Sequence, residues 1–239
     1  MFRRMLLGAL LVCALGGPAR AAPFWVSWEG NDFPENEGWE RVFFNGMSAQ
    51  RSLQDGALVI DSLESISIVD FYQMRRGVIP GAGETFVMQW RLRVEELLGL
   101  RDPTVFVFAD DRYAAGFEFQ LDSLRDGFEP ERTASFSPGV FHEFEFRSTD
   151  MRVYELYIDG GIALTGDFFF SNAVDSPRIG WGDGVQGTAS ISRWDYFRFG
   201  VIPEPGTGIG AIVVLLLAGR TFRGAQPAFL RFENKEIVR

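Results

Sequence analysis

Apolar and polar residues alternate along the middle of the chain. In Thr85–Glu95 the residues Phe86, Met88, Trp90, Leu92 and Val94 point one way, and Thr85, Val87, Gln89, Arg91, Arg93 and Glu95 point the other. A period of two places successive side chains on opposite faces of a strand, so one face predicts core and the other solvent. The same pattern marks Ala57–Ser62, Ser65–Met74, Thr104–Ala109, Gly116–Asp122, Phe141–Ser148, Val153–Asp159, Pro177–Gly180 and Ala189–Phe199, separated by Gly, Pro, Asp and Asn. Asp159-Gly160-Gly161 predicts a tight hairpin, because glycine tolerates the positive φ that such turns need. Helical periodicity is nearly absent. About ten short strands cannot bury their apolar sides in one layer, which predicts two packed antiparallel sheets.

Composition narrows the picture. A chain of 239 residues accommodates one sandwich of roughly 200 residues plus short processing segments. With 46% hydrophobic residues, 24 Phe and 6 Trp, it carries enough apolar area to offset chain entropy, which excludes a disordered protein. Residues 22–202 hold 15 arginines and 29 acidic residues, a charge of −14, and such a surface repels phosphate backbones, so nucleic acid is excluded as a partner. Cys13 is the single cysteine, so the mature domain folds without a disulfide.

The two ends carry addressing signals. Met1–Ala22 has basic Arg3-Arg4, an apolar run Met5–Gly17 and a small-residue exit Ala19-Arg20-Ala21, which predicts a signal peptide cleaved after Ala21. The apolar run is too short for a comfortable membrane span, and Val12 before Cys13 is bulkier than a lipoprotein acylation site wants. At the other end Pro203-Glu204-Pro205 precedes the apolar stretch Gly206–Gly219 and the basic residues Arg220 and Arg223. The prolines disfavour regular structure, and the arginines hold the end of an inserted segment on the cytoplasmic side. The triplet, the apolar stretch and the basic end together resemble the PEP-CTERM sorting signal. That resemblance implies an exported protein of the cell envelope or extracellular matrix, an exosortase-like processing enzyme as partner, and membrane contact through Gly206–Gly219. The expected organisation is a signal peptide at 1–21, a sandwich at 22–200, a sorting segment at 201–223 and a C-terminal extension at 224–239.

Within the domain, Val153-Tyr154-Glu155-Leu156-Tyr157-Ile158-Asp159-Gly160, Ile179-Gly180-Trp181-Gly182-Asp183 and Ser192-Arg193-Trp194-Asp195-Tyr196-Phe197-Arg198-Phe199 resemble the late strands of concanavalin A-like, laminin-G-like domains. The resemblance implies a jelly-roll in which the final aromatic strand returns beside the N-terminal one, here Trp25–Trp28 and Gly38–Val42. The expected fold is therefore an all-β, two-sheet antiparallel sandwich, flanked by an N-terminal signal helix and a C-terminal hydrophobic helix.

Chemistry is sparse. Retaining glucanases of this fold carry a Glu-x-Asp-x-x-Glu strand, and Glu118-Phe119-Gln120-Leu121-Asp122 lacks that spacing. The single histidine, His142, alternates with Phe144 and Phe146, which predicts a partly buried, hydrogen-bonded structural residue rather than a general base. No cofactor is required. Asp32, Asp110, Asp111 and Asp183 stand in loop-like sequence as candidate donors for a structural calcium, with loop solvation as the simpler reading. The remaining candidate is a polysaccharide-binding face on the polar side of the central strands, formed by Gln89, Arg91, Arg93, Glu118, Gln120, Asp122, Glu143, Glu145 and Tyr157. A solvated face of cross-strand ion pairs is the competing reading. Three functions stay open: a binding module, a glycoside hydrolase of a related sandwich family, and a structural or adhesive surface protein. Carboxyl spacing discriminates the second from the first.

Overall fold

A computed structural model describes residues 26–203, apart from 45, 46, 78, 111 and 171–175. The chain order is β1 (Val26–Glu29), β2 (Glu40–Phe43), β3 (Gln50–Gln54), β4 (Ala57–Asp61), β5 (Asp70–Met74), β6 (Glu84–Leu98), β7 (Thr104–Phe108), β8 (Tyr113–Phe119), β9 (Ser123–Asp126), β10 (Thr133–Ser135), β11 (His142–Ser148), β12 (Val153–Ile158), β13 (Gly161–Asp167), β14 (Phe169–Phe170), β15 (Arg178–Asp183) and β16 (Ala189–Pro203). Two eight-stranded sheets result. The first runs β13-β12-β11-β6-β16-β4-β3, with β1 also paired to β16, and the second runs β10-β9-β8-β7-β15-β5-β2, with β14 paired to β8. Each pairing is antiparallel, as the expected jelly-roll requires.

The alternation in β6 becomes burial. Phe86, Met88, Trp90, Leu92 and Val94 all lie in the core, facing Phe117, Phe119 and Trp181 of the second sheet. Trp90 stacks on Phe144 with ring centroids 5.5 Å apart, and Trp181 packs against Trp28, Tyr72 and Trp194 at 4.8–4.9 Å. Fully burying side chains of this size contributes on the order of 2–3 kcal/mol each, so aromatic packing dominates cohesion between the sheets.

Turns follow local chemistry. Asp159 and Gly160 have φ of 50° and 79°, so the hairpin that Asp159-Gly160-Gly161 predicted closes β12 onto β13 through two left-handed residues. Asp55 and Gly56, at 54° and 76°, close β3 onto β4 in the same way.

Several expectations are corrected. Only Val26–Glu29 lies beside the final strand; Glu40–Phe43 instead pairs with β5 in the second sheet, because a 3-10 turn at Pro34–Glu37 redirects the chain. Ser65–Met74 is extended only from Asp70, and Gly116–Asp122 divides between β8 and a turn that leads to β9. The sandwich passes residue 200: Val201, Ile202 and Pro203 still pair with Phe86, Thr85 and Glu84, so Pro203 ends a strand instead of standing clear of the sheet. The described residues contain no α-helix. Both predicted flanking helices, the signal peptide, and Glu204, Pro205, Gly206–Gly219, Arg220 and Arg223 lie outside the described residues.

Candidate ligand-binding face

The proposed polar face does not exist as one surface, because alternation tells which side of a strand is polar but not which sheet the strand joins. Gln89, Arg91, Arg93, Glu143, Glu145 and Tyr157 project outward from the first sheet on β6, β11 and β12. Glu118 projects outward from the second sheet on β8, and Gln120 and Asp122 sit at the turn into β9.

On the first sheet the charges are consumed by one another. Gln89 donates to Glu145 and accepts from Arg198 at 2.9 Å, Arg147 pairs with Glu145, and Tyr196 donates to Glu143 at 2.7 Å. Arg91 pairs with Asp195 and Arg193 with Glu95, while Arg91 and Arg93 both cover the Phe141 ring at 4.9 Å. Tyr157 donates to Glu155 at 2.6 Å, which holds its phenol above the ordinary range, with burial adding to the shift. This face matches the reading of a solvated lattice of cross-strand pairs.

The outer face of the second sheet differs in kind. Thr104, Phe106 and Phe108 of β7 point out while Val105 and Val107 fill the core, and Phe71 of β5 points out beside buried Tyr72. Between β7 and β5 lies β15, whose outward positions are Arg178, Gly180 and Gly182. Two strand spacings, roughly 9.6 Å, separate β5 from β7. The Phe71 and Phe106 rings nevertheless meet edge to face at 5.3 Å, because glycine at 180 leaves the space over β15 that Phe106 occupies. Phe108 joins Phe106 at 5.4 Å, Phe44 joins Phe71 at 6.3 Å, and the Arg178 guanidinium covers Phe108 at 4.8 Å. Phe71, Phe106 and Phe108 are half-buried and Phe44 is exposed, so the result is a rail of partly exposed rings spanning β5, β15 and β7. Farther along, Phe128 and Phe169 stack in parallel at 4.9 Å over Gly116.

Polar groups border the rail. Glu118 accepts from Arg125 at 2.8 Å and Arg101 at 3.2 Å, and burial, helped by nearby Asp126, raises its carboxyl against the pull of Arg101. Gln73 donates to Glu40 at 2.8 Å on the opposite side. Among the outward strand positions of this sheet, Glu40 on β2 and Glu118 on β8 are the carboxylates, four strand spacings or roughly 19 Å apart. A glycosidase needs about 5.5 Å or 6.5–9.5 Å.

His142 is buried at one edge of the sandwich, beside an open cleft of about 470 Å³ lined by Ser135, Ser137, Asp159 and Ile162. Its Nδ1 faces Asp159 Oδ2 at 2.6 Å and its Nε2 donates to the Ser137 carbonyl at 2.8 Å, so neither ring nitrogen is free to act as a base. The calcium candidates are scattered. Asp32 accepts from Phe33 N–H and Asn36, Asp110 accepts from the N–H groups of Arg112 and Tyr113, and Asp183 is buried at the end of β15. Asp111 lies outside the described residues. Among the described residues no three His, Cys, Asp or Glu side chains converge as a metal-ligand set.

Sequence reasoning missed Phe71, Phe106, Phe108 and Gly180. The signal was present in Val105-Phe106-Val107-Phe108, a strand apolar on both sides, of which the sandwich core can take only one.

No protein-family model and no curated protein matches the sequence. Solved structures do resemble the fold. The conserved carbohydrate esterase of the Shiga toxin-encoding bacteriophage phi24B is 11% identical at a TM-score of 0.58, over 77% of this chain and all of that one. The cellulose-induced protein Cip1 is 14% identical at 0.50 over 74% of this chain and 96% of its own, and a Bacillus subtilis protein with a galectin-like fold is 10% identical at 0.50 over 77% and 100%. At these identities the likeness defines the class of fold, a two-sheet sandwich of the galectin-like kind, and leaves function to the site.

Proposed function

We propose that this domain is a polysaccharide-binding module whose ligand lies along the Phe44-Phe71-Phe106-Phe108 rail of the second sheet. The observation that carries this reading is the continuous row of partly exposed rings on the outer face, brought together over the bare backbone of Gly180. Flat apolar rings beside Glu40, Glu118 and Arg178 suit the apolar faces and hydroxyl rims of sugar units. A carbohydrate esterase among the similar folds agrees with such a ligand. The wide separation of Glu40 and Glu118 and the occupied nitrogens of His142 favour binding over hydrolysis. The resemblance of the chain ends to a secretory signal and a PEP-CTERM segment supports export and exosortase-dependent sorting, which would place the module where extracellular polysaccharide is found.

Affinity electrophoresis in gels containing xylan, β-glucan or alginate tests the reading. Retardation in at least one gel is expected, and it should be lost in Phe106→Ala. Migration unchanged in every gel, for wild type and variant alike, would remove the proposal.

A further inference from the structure

One end of the sandwich holds a charge imbalance that the ligand face does not use. Asp102, just before β7, and Asp183, the last residue of β15, are both fully buried, and their carboxyl groups lie within hydrogen-bonding reach of each other. Neither has an arginine partner among the described residues. Asp102 accepts from Gly184 N–H and from the Ser190 hydroxyl, each at 3.3 Å, whereas Asp183 has only Asp102 and the Ser62 hydroxyl within reach and neither of its oxygens receives a well-aligned hydrogen bond. Their acidic neighbour Asp70, the register partner of Asp183, is already balanced: Arg41 grips both its oxygens and Ala49 N–H adds a bond at 2.8 Å. Burial raises both carboxyls, and no arginine among the described residues balances their charge when they ionise.

Burying a carboxylate unpaired costs several kcal/mol, and buried charges are accordingly paired or bound to metal. A single shared proton would leave one net negative charge in place, in a site with no cationic side chain. The surrounding groups are oxygens. Ser190, near the start of β16, and Ser62, which follows β4, are fully buried here, and the Ser62 hydroxyl donates to the Ser190 carbonyl at 3.2 Å and accepts from Ser190 N–H at 2.8 Å. Oxygen-only surroundings, and a carboxyl pair that carries −2 once a cation displaces its protons, match a hard divalent ion.

The geometry points to a buried calcium site between the carboxylates of Asp102 and Asp183, with the Ser190 hydroxyl as a further oxygen ligand. Asp183 belongs to the second sheet and Ser190 to the first, so the ion ties the two layers together at this end. The site is independent of the polysaccharide rail and stands or falls without it.

The test uses the full chain, stripped with chelator and then titrated with calcium chloride. One equivalent of calcium should bind by calorimetry, and saturation should raise Tm by about 5 °C or more. Terbium bound at the same place should luminesce on tryptophan excitation, since Trp181 lies two residues before Asp183. Asp183→Asn and Asp102→Asn should abolish the calcium response, whereas Asp32→Asn and Asp110→Asn should keep it. Wild-type Tm indifferent to calcium and chelator, with no metal retained, would overturn the proposal even if the buried variants do not fold. A response that follows Asp32 or Asp110 would overturn it too, as would a full calcium response retained in folded Asp102→Asn and Asp183→Asn.

Discussion

Phe106 lies across Gly180: a β-carbon added at position 180 would fall 2.2 Å from the ring Cζ, which no side-chain carbon tolerates. Gly180→Ala must therefore push the ring off β15 and away from Phe71. Overpacking of this kind costs about 1–3 kcal/mol, so a Tm lower by several degrees is expected, together with weakened retardation in polysaccharide gels. A variant with wild-type Tm and wild-type retardation would show that the ring does not depend on the glycine.

The lattice on the first sheet is expected to be dispensable. Its pairs are partly exposed at the surface, and such pairs contribute about 0–1 kcal/mol. Arg91→Ala combined with Tyr157→Phe should shift Tm by no more than a degree or two and leave polysaccharide retardation intact. Loss of retardation in this double variant would move the ligand to the other sheet.

Tyr154 links the layers by a polar contact. From β12 its hydroxyl donates to Asp126 of β9 at 2.5 Å, and Asp126 is itself buried with two backbone N–H groups on its other oxygen. Burial and the adjacent carboxylate push the phenol far above its ordinary range, so it stays a donor at any working pH. Tyr154→Phe leaves a buried carboxylate oxygen short of a donor, at a cost of about 1–3 kcal/mol. Chemical denaturation should show that loss with an unchanged m-value. A variant as stable as wild type would mean that Arg132, 4.0 Å from Asp126, supplies the compensation.

Acid should unfold the protein partly through Asp159. Burial works to raise this carboxyl, but hydrogen bonds from His142 and from Glu143 N–H outweigh it and hold the group below its usual range. With the folded pKa below the unfolded one, the stabilisation is complete above the ordinary carboxylate value of about 4 and fades as pH falls through the lower folded value. Asp159→Asn keeps a residue that accepts the positive φ of the turn. It should melt below wild type at pH 7, and the gap should close by about pH 3. A gap of equal size at both pH values would assign the loss to packing rather than to charge.

Much of the scaffold is legible from the residues. Alternation in Thr85–Glu95 places Phe86, Met88 and Trp90 in the core, and Asp159-Gly160 specifies its hairpin, because both features are local consequences of side-chain size and backbone freedom. Pairing is a different matter. Nothing local tells that Glu118 and Gln89 belong to different sheets, since partner choice depends on contacts distant in sequence. Sequence reasoning about the binding face favoured polar residues, which the structure shows spent on one another. The accessible feature is apolar, and it exists only because Gly180, Phe71 and Phe106, remote in sequence, become neighbours.

The central claim is that the rail on the second sheet binds polysaccharide. Its most direct test is affinity electrophoresis of Phe71→Ala/Phe106→Ala/Phe108→Ala beside Arg91→Ala/Tyr157→Phe, in a polysaccharide that retards the wild type, with circular dichroism confirming that both variants fold. The rail variant should run as if the gel held no polysaccharide, at least a tenfold loss of affinity, or about 1.4 kcal/mol, while the other runs as wild type. Retardation that survives in the folded rail variant would contradict the account.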